Sequence, residues 1–153
     1  MKVVFLGVPQ KGGDGDSWHY DMVEAGRQLG WDIDWIQILD APVDDLVCAS
    51  KGADLAIWAR THGHDPRGDA QAMLRRIEDA GTVTAGVHFD LYWSLPRREV
   101  RVGNEPWWTC QHVFTADGGA RDWASRDVNH HWLPPAFGTR FLGRGTPVRP
   151  ARD

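Results

Sequence analysis

The sequence predicts one α/β domain: a Rossmann-like three-layer sandwich around a mostly parallel sheet of about six strands. Three observations predict it. The chain has 153 residues, the usual size of one domain and enough to bury a core without disulfide support. Short apolar runs read as strands covered on both faces. These runs alternate with helical patterns, which is the signature of βαβ units.

Element by element, Val3–Val8 is the first buried strand, and the Gly- and Asp-containing stretch from Gln10 to Asp16 is a loop. Asp16 or Ser17 can cap the helix that follows; Trp18, Met22, Ala25 and Leu29 then recur at one-face spacing before Gly30 ends it. Asp32–Ile38 is the second strand, Pro42 to Lys51 a short helix closed by Gly52, and Asp54–Ala59 the third strand. Asp65 is then expected as an N-cap with Pro66 at the first helical position, and Ala70, Met73, Leu74 and Ile77 as the buried face, with Gly81 as terminator. Thr82–Phe89 is the fourth strand, Asp90 to Cys110 a less regular aromatic piece, and His112–Thr115 the fifth strand. A short helix is expected near Arg121–Ser125, and Asn129–Leu133 is the sixth strand, stopped by Pro134-Pro135. Residues 1–137 thus form the domain, and 138–153 a Gly/Pro/Arg-rich tail or linker.

Composition narrows the function. The two cysteines, Cys48 and Cys110, make neither a CxxC pair nor a disulfide framework, which points to a reducing, cytoplasmic setting. The apolar run at the N-terminus is too short for a signal peptide, and no stretch is long enough to span a bilayer, so no membrane partner is expected. A net charge of −4 carries no footprint for nucleic acid; the arginines between Arg140 and Arg152 read as a solvated linker. Nine tryptophans are unusual. Trp31, Trp35 and Trp58 fall on core elements, whereas Trp93, Trp107, Trp108 and Trp132 lie near strand ends, where a rigid apolar plane serves packing or ligand stacking.

The first loop fails the phosphate-loop pattern, because after Gly7 and Gly12 the residues Gly13 and Asp14 stand where Lys and Ser/Thr are needed. The dinucleotide fingerprint is missing too, and Asp14 and Asp16 would repel a phosphate. Gly12, Gly13 and Asp14 therefore form either a plain turn or a loop able to approach a polar ligand. No cofactor is expected. His62 and His64 follow the third strand, His88 and Asp90 the fourth, and His130 and His131 lie in the sixth. Ligands of open parallel sheets sit beyond the carboxyl ends of the strands. Three readings stay open there: a metal site, an acid–base histidine oriented by a carboxylate, or hydrogen-bonded structural histidines. The site proposed from this pattern has no metal, with His88 as general base and Asp90 assisting. No GxSxG elbow is present.

Three ordered segments carry a family resemblance: GVHFDLYWSLPRR (86–98), EPWWTCQHVFTADGG (105–119) and VNHHWLPPAF (128–137), with ADLAIWARTHG (53–63) upstream. Together they resemble the N-terminal domain of CgeB-like, spore-maturation-type GT-B glycosyltransferases of bacteria and phages. The resemblance implies an acceptor-side domain that faces a second, nucleotide-sugar-binding domain, with metal-independent transfer. It puts His88 and Asp90 where such enzymes keep a base or acceptor-binding group, and lines the cleft with Asp117, Gly118, Gly119, His130, His131 and Trp132; Trp93 and the His62/His64 pair are further ligand-binding candidates. The sequence reaches Asp153 where that family crosses into its donor domain, so the expectation is a half that is inactive alone. Its partners would be a sugar or nucleotide-sugar, a donor-domain protein or a second copy. The alternative is a non-catalytic binding module, a phage-type effector, on the same fold.

Overall fold

A computed structural model describes residues 1–8, 18–59, 66–89, 105–116 and 128–133. These contain six strands, β1 (Lys2–Gly7), β2 (Asp32–Gln37), β3 (Leu55–Trp58), β4 (Val83–His88), β5 (His112–Thr115) and β6 (His130–Trp132). They also contain the helices α1 (Trp18–Gln28), α2 (Val43–Ser50) and α3 (Ala70–Asp79), and a 3₁₀ turn at Pro106–Thr109. The strands form one sheet in the order β2-β1-β3-β4-β5-β6, and every pair is parallel. The Rossmann-like α/β architecture is therefore as the sequence predicts. No described helix is long and apolar enough to cross a membrane.

Central strands must be apolar on both faces, and β1 is: Val3, Val4, Phe5 and Leu6 are all buried. Val4 and Leu6 join Trp58, Leu46, Met73, Leu74 and Trp107 in the core under α2, α3 and the 3₁₀ turn. Val3 and Phe5 join Val23, Ile33, Ile57 and Val87 in the core under α1. The alternation of β1 thus feeds two separate cores, one on each side of the sheet.

Two expectations need correction. The buried stripe of α1 is His19, Val23 and Gly26; of the expected face, Trp18 and Met22 are partly buried against the same core, while Ala25 is exposed and Leu29 is 71% exposed. The cause is Gly26, where a Cβ would come within 2.5 Å of Ile33 Cδ1 and 2.9 Å of Trp31. The Ile33 and Trp31 side chains pack directly on the helix at that glycine, which accords with the 19/23/26 stripe facing inward. The start of α3 also differs. Its N-cap is Asp69, whose carboxylate accepts from the Ala72 N–H at 3.0 Å, and the helix begins at Ala70. Pro66 lies outside the helix because Arg67 is extended and bridges to Pro42: its N–H donates to the Ala41 carbonyl at 2.8 Å, and Val43 N–H donates back at 3.2 Å. Gly68, at φ +131°, turns the chain from that bridge into the cap. The expected face of α3, with Ala70, Met73, Leu74 and Ile77, is buried. The short helix expected near Arg121–Ser125, Asp65 and the tail lie outside the described residues.

Candidate functional site

The strand order reverses between β1 and β3, since the chain leaves β1 for β2 on one side and returns to β3 on the other. In doubly wound sheets such a switch point opens a crevice at the carboxyl edge. The described residues at that edge include Val8, Ile38, Ala59, His88, Phe89, Thr115, Ala116, Trp132 and Leu133, at or just after their strands. Laterally paired residues of parallel strands point to the same face, so the register sets which of them act together.

His88 pairs with Thr115, and Thr115 pairs with Trp132. This row lies on the face of the α3 core, since Val113, two residues before Thr115 on the same strand face, belongs to that core. His88 is 3% exposed and its ring stacks on Trp107, with centroids 5.1 Å apart and planes 11° from parallel. The stack exists because Gly86 lets the 3₁₀ turn rest against β4: a Cβ there would lie 2.7 Å from the Trp107 carbonyl oxygen. Trp107 in turn tilts against Trp108 at 4.7 Å. Trp107 is thereby a core residue.

Further along the row, Thr115 is buried and its hydroxyl Oγ1 lies 2.9 Å from His130 Nε2. Burial first, and then the neighbouring His131, lowers the pKa of His130 below the ordinary histidine value. Trp132 ends the row. It is 64% exposed, and its indole N–H donates to the Ala116 carbonyl at 3.2 Å. A large apolar ring is thus held in a fixed attitude at the edge.

On the opposite face, α1 brings Trp18 and His19 to the edge. Trp18 packs edge-on against Phe89 at 4.8 Å and against His19 at 4.0 Å. His19 is buried, with Nδ1 3.5 Å from the Val8 carbonyl oxygen. A third group sits on this face, away from the edge. His131 stacks on Phe114 at 4.8 Å, its Nε2 is 3.1 Å from His112 Nδ1, and Asn129 Nδ2 reaches both His112 Nδ1 (3.0 Å) and the Gln111 carbonyl (3.1 Å). The Gln111 contact orients the amide so that it donates to His112, which makes Nδ1 of His112 an acceptor. His130 and His131 are therefore neighbours in sequence but belong to opposite faces.

Among the described residues, no group of three or more His, Cys, Asp or Glu side chains is gathered closely enough to hold a metal ion. Of the sequence-predicted site, His88, His130 and His131 are described. Gly12, Gly13, Asp14, His62, His64, Asp90, Trp93, Asp117, Gly118 and Gly119 lie outside the described residues. Sequence reasoning passed over Thr115, His19, His112 and Asn129. Their signal was only positional: Thr115 and His19 flank segments already marked as strand end and helix start, while the pairing of His112 with His131 depends on register. Neither the models of known protein families nor the curated proteins give a match to this chain.

Proposed function

We propose that the chain is the acceptor-side, Rossmann-like domain of a GT-B-type glycosyltransferase, binding a saccharide at its carboxyl edge and transferring sugar only together with a donor domain. One observation carries the reading. The three segments that resemble CgeB-like enzymes take in the end of β4, from Gly86 to His88, and the whole of β5 and of β6, and those strands are adjacent in the sheet. Residues far apart in sequence therefore leave the sheet side by side at its carboxyl edge, on the β4 side of the β1/β3 switch point. The edge also presents the exposed indole of Trp132, and the first loop lacks the residues of a phosphate-binding pattern, which suits an uncharged polyol better than a nucleotide.

His88 is the base candidate in this reading. Its burial against Trp107 means that it would reach an acceptor hydroxyl only after a local rearrangement, and geometry comes before pKa for such a role. His88→Ala in a reconstituted two-domain enzyme is expected to abolish turnover while acceptor binding persists; near-normal turnover would remove His88 from the chemistry.

The reading as a whole is tested by adding UDP- and GDP-sugars and free saccharides to the 153-residue chain. Saccharide binding without turnover is the expected outcome. Tight binding of UDP or GDP, or turnover by this chain alone, would overturn the acceptor-side assignment. Saccharide binding that no donor domain converts into transfer would instead identify a binding module on the same fold.

A further inference from the structure

We infer that His112 and His131 form a divalent transition-metal site that clips β6 to β5. The inference is independent of the acceptor-side reading above, because the pair lies on the α1 face of the sheet and away from its carboxyl edge. Register builds the site. His131 pairs with Phe114, so His112 and Phe114 on β5 share one face with Asn129 and His131 at β6, the face of the α1 core that Phe114 packs against. Phe114 also stacks on the His131 ring at 4.8 Å and fixes its attitude. Both imidazoles are half-buried, so each ring is held by its surroundings and still open to solvent.

The two nitrogens that face each other are poorly suited to a hydrogen bond between themselves. An imidazole nitrogen that accepts has one lone pair. Nδ1 of His112 takes the N–H of Asn129 at 3.0 Å, and that amide is oriented by the Gln111 carbonyl at 3.1 Å. Nε2 of His131 stands 3.1 Å from the same nitrogen. With a proton on Nε2, two donors compete for one lone pair; without it, two lone pairs confront each other. A cation removes the conflict, because both nitrogens can then direct a lone pair at it while Asn129 keeps its bond to Gln111. The spacing fits. With metal–nitrogen bonds of about 2.05 Å, neighbouring ligands at square or tetrahedral angles stand about 2.9–3.4 Å apart.

Neutral imidazoles suit Zn²⁺, Ni²⁺ and Cu²⁺ and not the oxygen-seeking Mg²⁺. Among the described residues no third His, Cys, Asp or Glu joins the pair, so water fills the remaining positions and the site is an open, exchangeable clip. Its place gives it a structural use. β6 is an edge strand of three residues, and His131 is the middle one, so a metal bond to β5 holds the strand in register.

The test uses the full chain, stripped of metal by a chelator and titrated by calorimetry with zinc or nickel chloride, with magnesium chloride as the hard-ion arm. The expected result is one saturable equivalent of Zn²⁺ or Ni²⁺ and none of Mg²⁺. Affinity is expected to fall about tenfold or more in His112→Gln and in His131→Gln, and to persist in a His62→Gln/His64→Gln variant. Substoichiometric Cu²⁺ reads the same site in the unaltered protein, where it should broaden the amide resonances of His112, Phe114 and His131 before any others. That measurement does not depend on how the variants fold. Absence of a saturable site for Zn²⁺ and Ni²⁺ would overturn the inference. So would affinity that both the His112 and His131 variants retain, affinity that disappears with His62 and His64, or first broadening elsewhere in the chain.

Discussion

A Cβ on Gly86 would meet the Trp107 carbonyl oxygen at 2.7 Å and the Trp107 Cβ at 2.9 Å. The obstacle is mostly backbone, so it cannot swing aside as a flexible side chain would. Gly86→Ala is therefore expected to push the 3₁₀ turn from β4, loosen the His88–Trp107 stack and cost about 1–3 kcal/mol. Denaturant unfolding would measure it, and an unchanged midpoint would show that the turn can yield. His130 gives a pH dependence at the same scale. Burial holds its pKa below the ordinary value, so the unfolded chain takes up the proton first. The stability linked to neutral His130 is thus complete above the unfolded value of about 6.5 and is lost as pH falls toward and through the folded value. Melting temperatures recorded from pH 7.5 to 5 are expected to fall less steeply in His130→Gln than in the parent. Equal slopes would mean that the other histidines carry the effect.

At the scale of single elements, the caps and close approaches decide details that periodicity does not. Asp69 caps α3 with one hydrogen bond to the Ala72 N–H, and its loss in Asp69→Ala is expected to cost about 1 kcal/mol. Asp69→Ser, which keeps an acceptor, should recover most of that, and thermal melts of the two variants would show it. This cap was hidden in the sequence because Asp65-Pro66 satisfies the same local rule. The choice between them is tertiary: Arg67 is drawn into the bridge with Pro42, and a residue in extended pairing cannot also be helical. The apolar face of α3 was legible, since four apolar residues at helical spacing leave one way to bury them. The face of α1 was legible only in its first turns, where Trp18 and Met22 pack against the core, and not at Ala25 and Leu29, which are exposed. Apolar spacing favoured Trp18, Met22, Ala25 and Leu29, but the helix follows Gly26, and a glycine carries no hydropathy signal for the place where backbone must come close. Strand cores and helix identities could be read from pattern; helix rotation and starts depended on contacts between elements distant in sequence.

For the molecule as a whole, what was legible is the consequence of burying both faces of a parallel sheet. Continuous apolar strands such as Val3–Leu6 have no other stable use in a chain of this size, and the alternation with helices then limits the topology. The site was less legible because it is assembled by register: Thr115 meets His130 and Trp132 only through the β5–β6 pairing, and His131 is turned to the other face by the same pairing. Cooperativity of this assembly can be read through its two thiols. Cys48 is exposed on α2, while Cys110 is buried beneath the α3 core, where desolvation raises its pKa far above the usual thiol range despite a hydrogen bond with Thr84. Thr84 is itself tied to Glu78 on α3 and accepts from the Gln111 N–H at 2.9 Å, so Cys110 sits where helix, β4 and β5 are joined. Only the thiolate reacts, and here neither the thiolate nor a path to it is available while those elements remain packed. A thiol reagent in native buffer is therefore expected to modify Cys48 rapidly and Cys110 only through opening of the core, at a rate that rises with denaturant along the global unfolding curve. A Cys48→Ser variant isolates the slow reaction. Fast labelling of Cys110 in native buffer would mean that the junction of α3, β4 and β5 opens locally, and that the edge carrying His88, Thr115 and Trp132 is not held by the same cooperative unit as the rest of the sheet.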